Sequence, residues 1–188
     1  TDFHADMLRQ SNGTLYIFFG TITQGTYVNT SNADVTITGG NSEDAFGQMM
    51  ITSDVTGDGL NDLIIGAPLY GSTNTGAVYV IFGRETWTDT LDITNNPTVL
   101  KVVGDTENAQ IGSDLLAADT DNNGTFSIYS VTSQGLTTQI NLTTSENSGE
   151  TTGGSGGNGI SVEGASGCSL NITSDSSNLF ITVISLIL

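Results

Sequence analysis

The sequence is poor in several residue types, and each shortage excludes a class of protein. Only 3 Lys+Arg residues stand against 20 Asp+Glu, a formal net charge of −17, so no basic patch for nucleic acid can be assembled. The single cysteine, Cys168, allows no internal disulfide, which excludes a small disulfide-framework module. No apolar run approaches the length of about 18 residues that a membrane-spanning helix requires.

Candidate catalytic groups are equally scarce. His4 is the only histidine, and no second cysteine or neighbouring histidine is available to activate Cys168 as a nucleophile. Pairs of aspartates could act as acid and base, but their positions in glycine loops are better explained by ligand roles. We therefore expect no enzymatic activity. The acidic, Lys-poor composition, in which only 12% of residues are charged, is typical of an extracellular or cell-surface protein.

The chain contains an internal repeat. "GTLYIFFG" (Gly13–Gly20) returns as "GAVYVIFG" (Gly76–Gly83), and the segment Val35–Gly59 returns as Leu100–Gly124. In each unit an apolar run is followed by an acidic glycine loop, a second apolar run, a turn and two further apolar runs. Short Val-, Ile- and Tyr-rich runs bounded by Gly, Asn and Asp predict β-strands. Four strands per unit are typical of a propeller blade, and a β-sandwich is the alternative.

The segment Ala45–Pro68, "AFGQMMITSDVTGDGLNDLIIGAP", resembles an FG-GAP repeat, the blade unit of the integrin α-chain propeller and of related bacterial surface proteins. Phe46–Gly47 matches the FG, Gly66–Pro68 matches the GAP, and Gly76–Gly83 matches the strand that follows. The resemblance implies an all-β fold of propeller blades. About two complete four-stranded units and some partial units are present, too few for a closed seven-blade ring.

The resemblance and the composition together divide the chain into three parts: an FG-GAP propeller segment at 1–130, a Thr/Ser/Gly-rich region of decayed strands and linker at 131–167, and an apolar tail at 168–188. The third copy of the unit loses its likeness after its loop, where "SIYSVTS" replaces a strand and GAP. Because isolated blades leave edges and apolar faces open, we expect either a longer chain or another chain to complete the ring.

The first acidic loop, "DVTGDGLND", places oxygen donors at alternate positions: Asp54, Thr56, Asp58, the Leu60 carbonyl and Asp62. Calcium takes six to eight hard oxygen ligands, so this spacing predicts a Ca²⁺ site. The resemblance implies the same, because the loop is similar to the family pattern D-x-[DN]-x-D-G-x-x-D, with Thr56 as the departure. The alternative is an Asx-rich turn without an ion.

The second loop, "DTDNNGTFS", offers Asp119, Asp121, Asn123, the Thr125 carbonyl and Ser127. Ser127 replaces the closing aspartate, so only two carboxylates remain to balance a dication. This loop is predicted to be a weak calcium site, a vacant one or a simple turn.

The apolar end Leu179–Leu188 has three interpretations: a sorting or anchoring tail, a strand that fills a sheet edge in its own or a neighbouring subunit, and truncation within a longer protein. The function expected from the resemblance is calcium-stabilised adhesion, or a scaffold binding a protein or glycan surface ligand. One alternative is a structural subunit of a surface filament or layer, which would bind other copies of itself. Another is an accessory domain of a secreted hydrolase.

Overall fold

The computed structural model describes the following parts of the chain: 5–10, 13–20, 29–41, 43–88, 90–94, 96, 98–119, 126–131, 137–143, 161–163 and 169–175. Within these parts the regular structure consists of thirteen β-strands and one 3-10 turn, Thr30–Asn32, without an α-helix. The predicted all-β class is therefore confirmed.

The strands form three sheets that follow one another along the sequence, with no closed barrel among the described strands. The first sheet has the order β1-β2-β3-β7, built from β1 (Ala5–Gln10), β2 (Thr14–Phe19), β3 (Val35–Thr38) and β7 (Thr90–Asp92). The second has the order β12-β8-β6-β5-β4, built from β4 (Met50–Ser53), β5 (Asp62–Ala67), β6 (Ala77–Ile81), β8 (Val99–Val103) and β12 (Ser161–Glu163). The third has the order β13-β11-β10-β9, built from β9 (Asp114–Ala118), β10 (Ser127–Val131), β11 (Thr137–Thr143) and β13 (Ser169–Asp175).

Two of these strands belong to a sheet other than the one their neighbours in sequence form. β7 lies in the connection between β6 and β8 of the second sheet, yet it pairs in parallel with β3 of the first. β12 lies between β11 and β13 of the third sheet, yet it pairs with β8 of the second. The outer edges of the first and second sheets are therefore each covered by a strand from the following unit, which ties successive units together.

The second sheet is buried on both faces because its side chains alternate between two cores. Leu63, Ile65 and Tyr79 point into a cluster shared with Leu15 and Ile37 of the first sheet. On the other face the cluster is shared with the third sheet and contains Ile64, Val78, Val80, Leu100, Val102, Leu115 and Ile128. Burial on both faces explains why β5 and β6 read as continuous apolar runs instead of alternating ones.

The FG turn of one unit packs against the GAP strand of the unit before it. Gly112, which occupies in the third unit the place of Gly47 in the second, lies against Gly66: a Cβ on Gly66 would clash with the Gly112 carbonyl. Within its own unit, the Gly47 amide donates to the Gly66 carbonyl at 2.9 Å. Gly112 also needs glycine for its backbone, since its φ is +85°. The glycines of the motif are therefore contact points between units.

One sequence expectation is wrong. The segment "SIYSVTS" does not replace a strand: Ser127–Val131 form β10, which pairs with β9 on one side and β11 on the other. Ser130 stands opposite Leu115 as Ile65 stands opposite Met50, and its buried hydroxyl accepts a hydrogen bond from the Gly112 amide at 2.6 Å. β10 forms although its sequence lacks the GAP motif, because strand pairing requires only a compatible backbone. The division at 1–130, 131–167 and 168–188 stays a prediction, and Leu179–Leu188 lie outside the described residues.

Candidate functional site

The acidic loop joins β4 to β5, and the carboxylate of its first residue organises it. Asp54 Oδ1 accepts hydrogen bonds from the amides of Gly57 at 2.7 Å and Asp58 at 3.2 Å. Its other oxygen, Oδ2, accepts from the Gly59 amide at 2.8 Å. One side chain thus satisfies three consecutive amides that no strand partner reaches, as an Asx turn does. Asp54 therefore fixes the path of the loop.

The last residue of the loop is more deeply buried than the first. Asp62 begins β5 and is 0% exposed. Its Oδ2 accepts from the amides of Val55 at 2.9 Å and Thr56 at 3.2 Å, and its Oδ1 accepts from the Gly83 amide at 2.7 Å. Burial raises the pKa of the Asp62 carboxyl, against these three amide hydrogen bonds, which lower it. Asp62 thereby joins the start of the loop to the end of β6.

Two glycines allow the loop to reverse between these aspartates. Gly57 has a φ of 76° and Gly59 a φ of 85°, in the region that L-residues avoid. A Cβ on Gly59 would meet no atom within 4 Å, so conformation and not space requires glycine there. The amides of both glycines point at Asp54, which shows why the carboxylate and the glycines occur together in the sequence.

The structure brings the predicted ligands of the first loop into one short turn. Besides Asp54 and Asp62, Asp58 Oδ1 accepts from the Leu60 amide at 2.8 Å, and the Thr56 hydroxyl lies 3.5 Å from Asp54 Oδ1. In the described part of the chain, however, no three Asp, Glu, His or Cys side chains are grouped closely enough to hold a metal ion. The calcium role of these residues stays a prediction.

The chemistry of the donor set fits a hard cation. Every side-chain or carbonyl donor in the loop is an oxygen, the ligand type that Ca²⁺ prefers, and there is no sulfur or nitrogen donor to favour zinc. From the described residues, Asp54 Oδ2 and Asp62 Oδ1 each accept one amide, and a carboxylate oxygen carries two lone pairs. Each of these oxygens therefore retains capacity for a metal bond.

The second loop can be placed only at its ends. Asp119 follows β9, and Ser127 begins β10 opposite Ala118, as Asp62 begins β5 opposite Ser53. Ser127 therefore occupies the strand position of Asp62, as the repeat predicts. The other proposed ligands, Asp121, Asn123 and Thr125, lie outside the described residues.

Two features of this region were not predicted from the sequence: the main-chain amide that binds Asp62 and the stacking of Arg84 on Trp87. Gly83 closes the repeated "GxVYVxFG" string, but nothing in that string indicates that its amide binds Asp62, which is remote in sequence. Trp87 packs against the core shared by the first two sheets, and the guanidinium of Arg84 lies 4.8 Å from the centroid of its ring. The rarity of basic residues was the only signal that pointed to Arg84.

Two comparisons with known proteins found similar sequences. A family model described as FG-GAP repeat matches residues 48–81, the span that begins just after Phe46–Gly47 and runs through the acidic loop to the end of β6. The chain is also similar to integrin alpha-PS2 of Drosophila melanogaster, 46% identical over 52 residues. That match covers 24% of this chain and 4% of the relative.

The chain therefore contains an FG-GAP repeat of the integrin α-like kind, and the resemblance predicted from Ala45–Pro68 is confirmed. These similarities point to a non-enzymatic, adhesion or binding type of domain. Within the described residues, no helix is long and apolar enough to cross a membrane.

Proposed function

We propose that this chain is part of an extracellular or cell-surface FG-GAP protein that binds calcium structurally and serves adhesion or acts as a binding scaffold. The observation that carries the proposal is the coincidence of the FG-GAP match, residues 48–81, with an all-oxygen loop between the half-buried β4 and the fully buried β5. The ligand is proposed to be a protein or glycan on another surface. The filament alternative depends on Leu179–Leu188, outside the described residues, and gains no support from the fold.

The proposed calcium ligands of the first loop are the side chains of Asp54, Thr56, Asp58 and Asp62, with the Leu60 carbonyl. A bound dication would offset the mutual repulsion of the carboxylates of Asp54, Asp58 and Asp62, which lie within one short loop of the sequence. Asp54 fixes the turn, and Asp62 is anchored by the hydrogen bonds that it accepts from the main-chain amides of Val55 and Gly83. An ion shared by both aspartates would therefore connect the turn to the second sheet.

The proposed second site, with Asp119, Asp121, Asn123, Thr125 and Ser127, is weaker. Ser127 offers a hydroxyl at the position where the first loop has Asp62, and a hydroxyl carries no charge to balance the dication. We expect calcium to fill the first loop at lower concentrations than the second.

The test is a thermal melt in millimolar calcium and again in excess chelator. Calcium at 100 times its dissociation constant adds about 2.7 kcal/mol to the free energy of unfolding, or about 5–10 °C for a chain of this size. Asp58→Asn should lose most of this shift. An asparagine at this position still offers Oδ1 to the Leu60 amide, so the substitution removes charge without breaking the turn.

Asp105→Asn is the matched control, because Asp105 is likewise exposed but lies outside the loop, just before the turn that begins at Thr106. It should keep the full calcium-dependent shift. Equal melting of the native chain with and without calcium, at all concentrations tried, would show that Asp54–Asp62 form only a hydrogen-bonded turn.

A further inference from the structure

Arg84 lies in an unusual position for one of only 3 Lys+Arg residues in the chain. It follows β6 and the Gly83 that binds Asp62, with its guanidinium 4.8 Å from the centroid of the Trp87 ring. Its Nε donates to the Phe82 carbonyl at 3.4 Å. Burial lowers the pKa of Arg84, and in the described part of the chain no neighbouring carboxylate acts on it in the opposite direction.

The described residues provide Arg84 with an aromatic face and a carbonyl, but not with an acidic partner. This is notable in a chain with 20 Asp+Glu. A partly desolvated cation without an anion is unfavourable. The stacked ring and the Phe82 carbonyl orient the guanidinium, and within the described residues its two terminal nitrogens make no hydrogen bond, which leaves them for a ligand from outside.

Two aromatic rings form a partly exposed surface on one side of this cation: Trp87 stacks on it, and Phe19 lies beside Trp87. Trp87 packs against the core of the first two sheets, so its ring is anchored. Phe19, at the end of β2, is 42% exposed, and its ring lies 6.5 Å from that of Trp87 at an angle of 52°. Tryptophan and arginine are the residues most enriched among those that dominate protein–protein binding energy.

We propose that Arg84, Trp87 and Phe19 form a docking site for a partner protein that presents an Asp or Glu carboxylate beside an apolar side chain. The two terminal nitrogens of a guanidinium match the two oxygens of a carboxylate. Phe19 then covers the apolar neighbour. Since this chain has a net charge of −17, the rest of the partner's surface should be neutral or basic for favourable encounter.

Two other occupants fit the site less well. A sugar ring stacks on an open aromatic face, but the face of Trp87 is already covered by the guanidinium of Arg84. A second copy of this chain would bring two surfaces of net charge −17 together, and like charges oppose association. Both occupants are therefore outcomes of the test.

The inference rests on the proposed binding role, and it is tested with capped peptides on the calcium-saturated protein. The first peptide carries Phe-Asp between lysines, and the second carries Phe-Asn in the same frame. Titrations are followed by NMR through the Arg84 Nε–H and Trp87 Nε1–H signals. The Asp peptide should bind about tenfold more tightly than the Asn peptide, because hydrogen bonds between charged groups are the stronger ones.

Arg84→Gln should abolish this preference, whereas Lys101→Gln, which removes the same charge elsewhere, should preserve it. Arg84→Lys keeps the charge but not the planar fork, so it should retain binding with a reduced preference, and it covers the case in which Arg84→Gln fails to fold. Equal binding of the two peptides would overturn the proposal, as would a preference that survives Arg84→Gln.

Stronger binding of glucuronic acid than of the Asp peptide would assign the site to a glycan instead. Signal shifts that depend on protein concentration alone would assign it to self-association. The calcium-dependent melt is a separate measurement on the same sample. A normal calcium shift without peptide preference would therefore reject this inference and leave the proposed function standing.

Discussion

Replacing Gly66 by alanine is expected to separate two sheets that meet there backbone to backbone. Gly66 lies in the GAP segment of β5, and a Cβ at this position would clash with the carbonyl oxygen of Gly112. It would also lie 3.0 Å from the Gly112 carbonyl carbon and 3.2 Å from its Cα. All three atoms belong to the main chain, so no flexible side chain can move aside.

The expected loss of stability is large because no flexible side chain is among the atoms that the added Cβ would meet. Excess volume in a packed interior costs about 1–3 kcal/mol where side chains can adjust, and here the backbone of the third sheet must shift instead. We therefore expect a loss of about 3 kcal/mol, a decrease in melting temperature of about 6–12 °C for a chain of this size. The Gly112 amide, which donates to the buried Ser130 hydroxyl at 2.6 Å, should lose protection from hydrogen exchange.

Urea denaturation and amide exchange measure both effects, and Gly20→Ala is the comparison. Gly20 has a φ of +92° and would meet nothing within 4 Å if it carried a Cβ. Its substitution therefore reports backbone strain alone, about 1–2 kcal/mol. If Gly66→Ala unfolds at the same urea concentration as the native chain and Gly112 stays protected, the contact between the two glycines does not hold these units together.

Two further predictions concern single residues around the FG turn. Ala45 has a φ of 57°, so Ala45→Gly should stabilise the chain by up to about 1 kcal/mol in urea denaturation, and a loss of stability would contradict the strain. Burial and Glu43 raise the pKa of Asp44, while Lys101 lowers it. Lys101→Gln should therefore raise it further in a carboxyl-carbon NMR titration, where an unchanged value would refute the coupling. Because the folded pKa exceeds 3.8, Asp44 contributes stability at low pH that is lost as pH rises through the folded pKa.

Local sequence signals predicted the repeated elements well where burial dictates the residue type. Every residue of β5 and β6 is buried, and apart from Asp62 these strands are apolar because the second sheet is covered on both faces. The turn around Gly57 and Gly59 could also be predicted, because acidic residues and glycines at this fixed spacing are typical of few other structures. These signals depend on neighbours in the sequence, which is why the order of runs and loops could be assigned without the structure.

Pairings between distant residues could not be read in the same way. Nothing in Thr90–Asp92 distinguishes a strand that pairs with its own unit from one that pairs with β3 of the unit before. The hydrogen bond from the Gly83 amide to Asp62 uses main-chain atoms that every residue except proline has. Strand β10 of the third sheet was not predicted for a related reason: the sequence similarity between the repeats ends before the strand pairing does.

The change at the third sheet shows what a unit of this kind must keep. In the second unit the FG glycine amide, that of Gly47, donates to a main-chain carbonyl, that of Gly66. In the third, the equivalent Gly112 donates to the Ser130 hydroxyl instead, so the acceptor has changed while the turn and its positive φ persist. A buried amide requires some acceptor but not a particular residue. The repeats can therefore differ in sequence, as at Phe46, which is replaced by Ile111 in the third unit. What they must keep is an acceptor for the amide of the glycine turn and the close approach of that turn to the strand of the preceding unit.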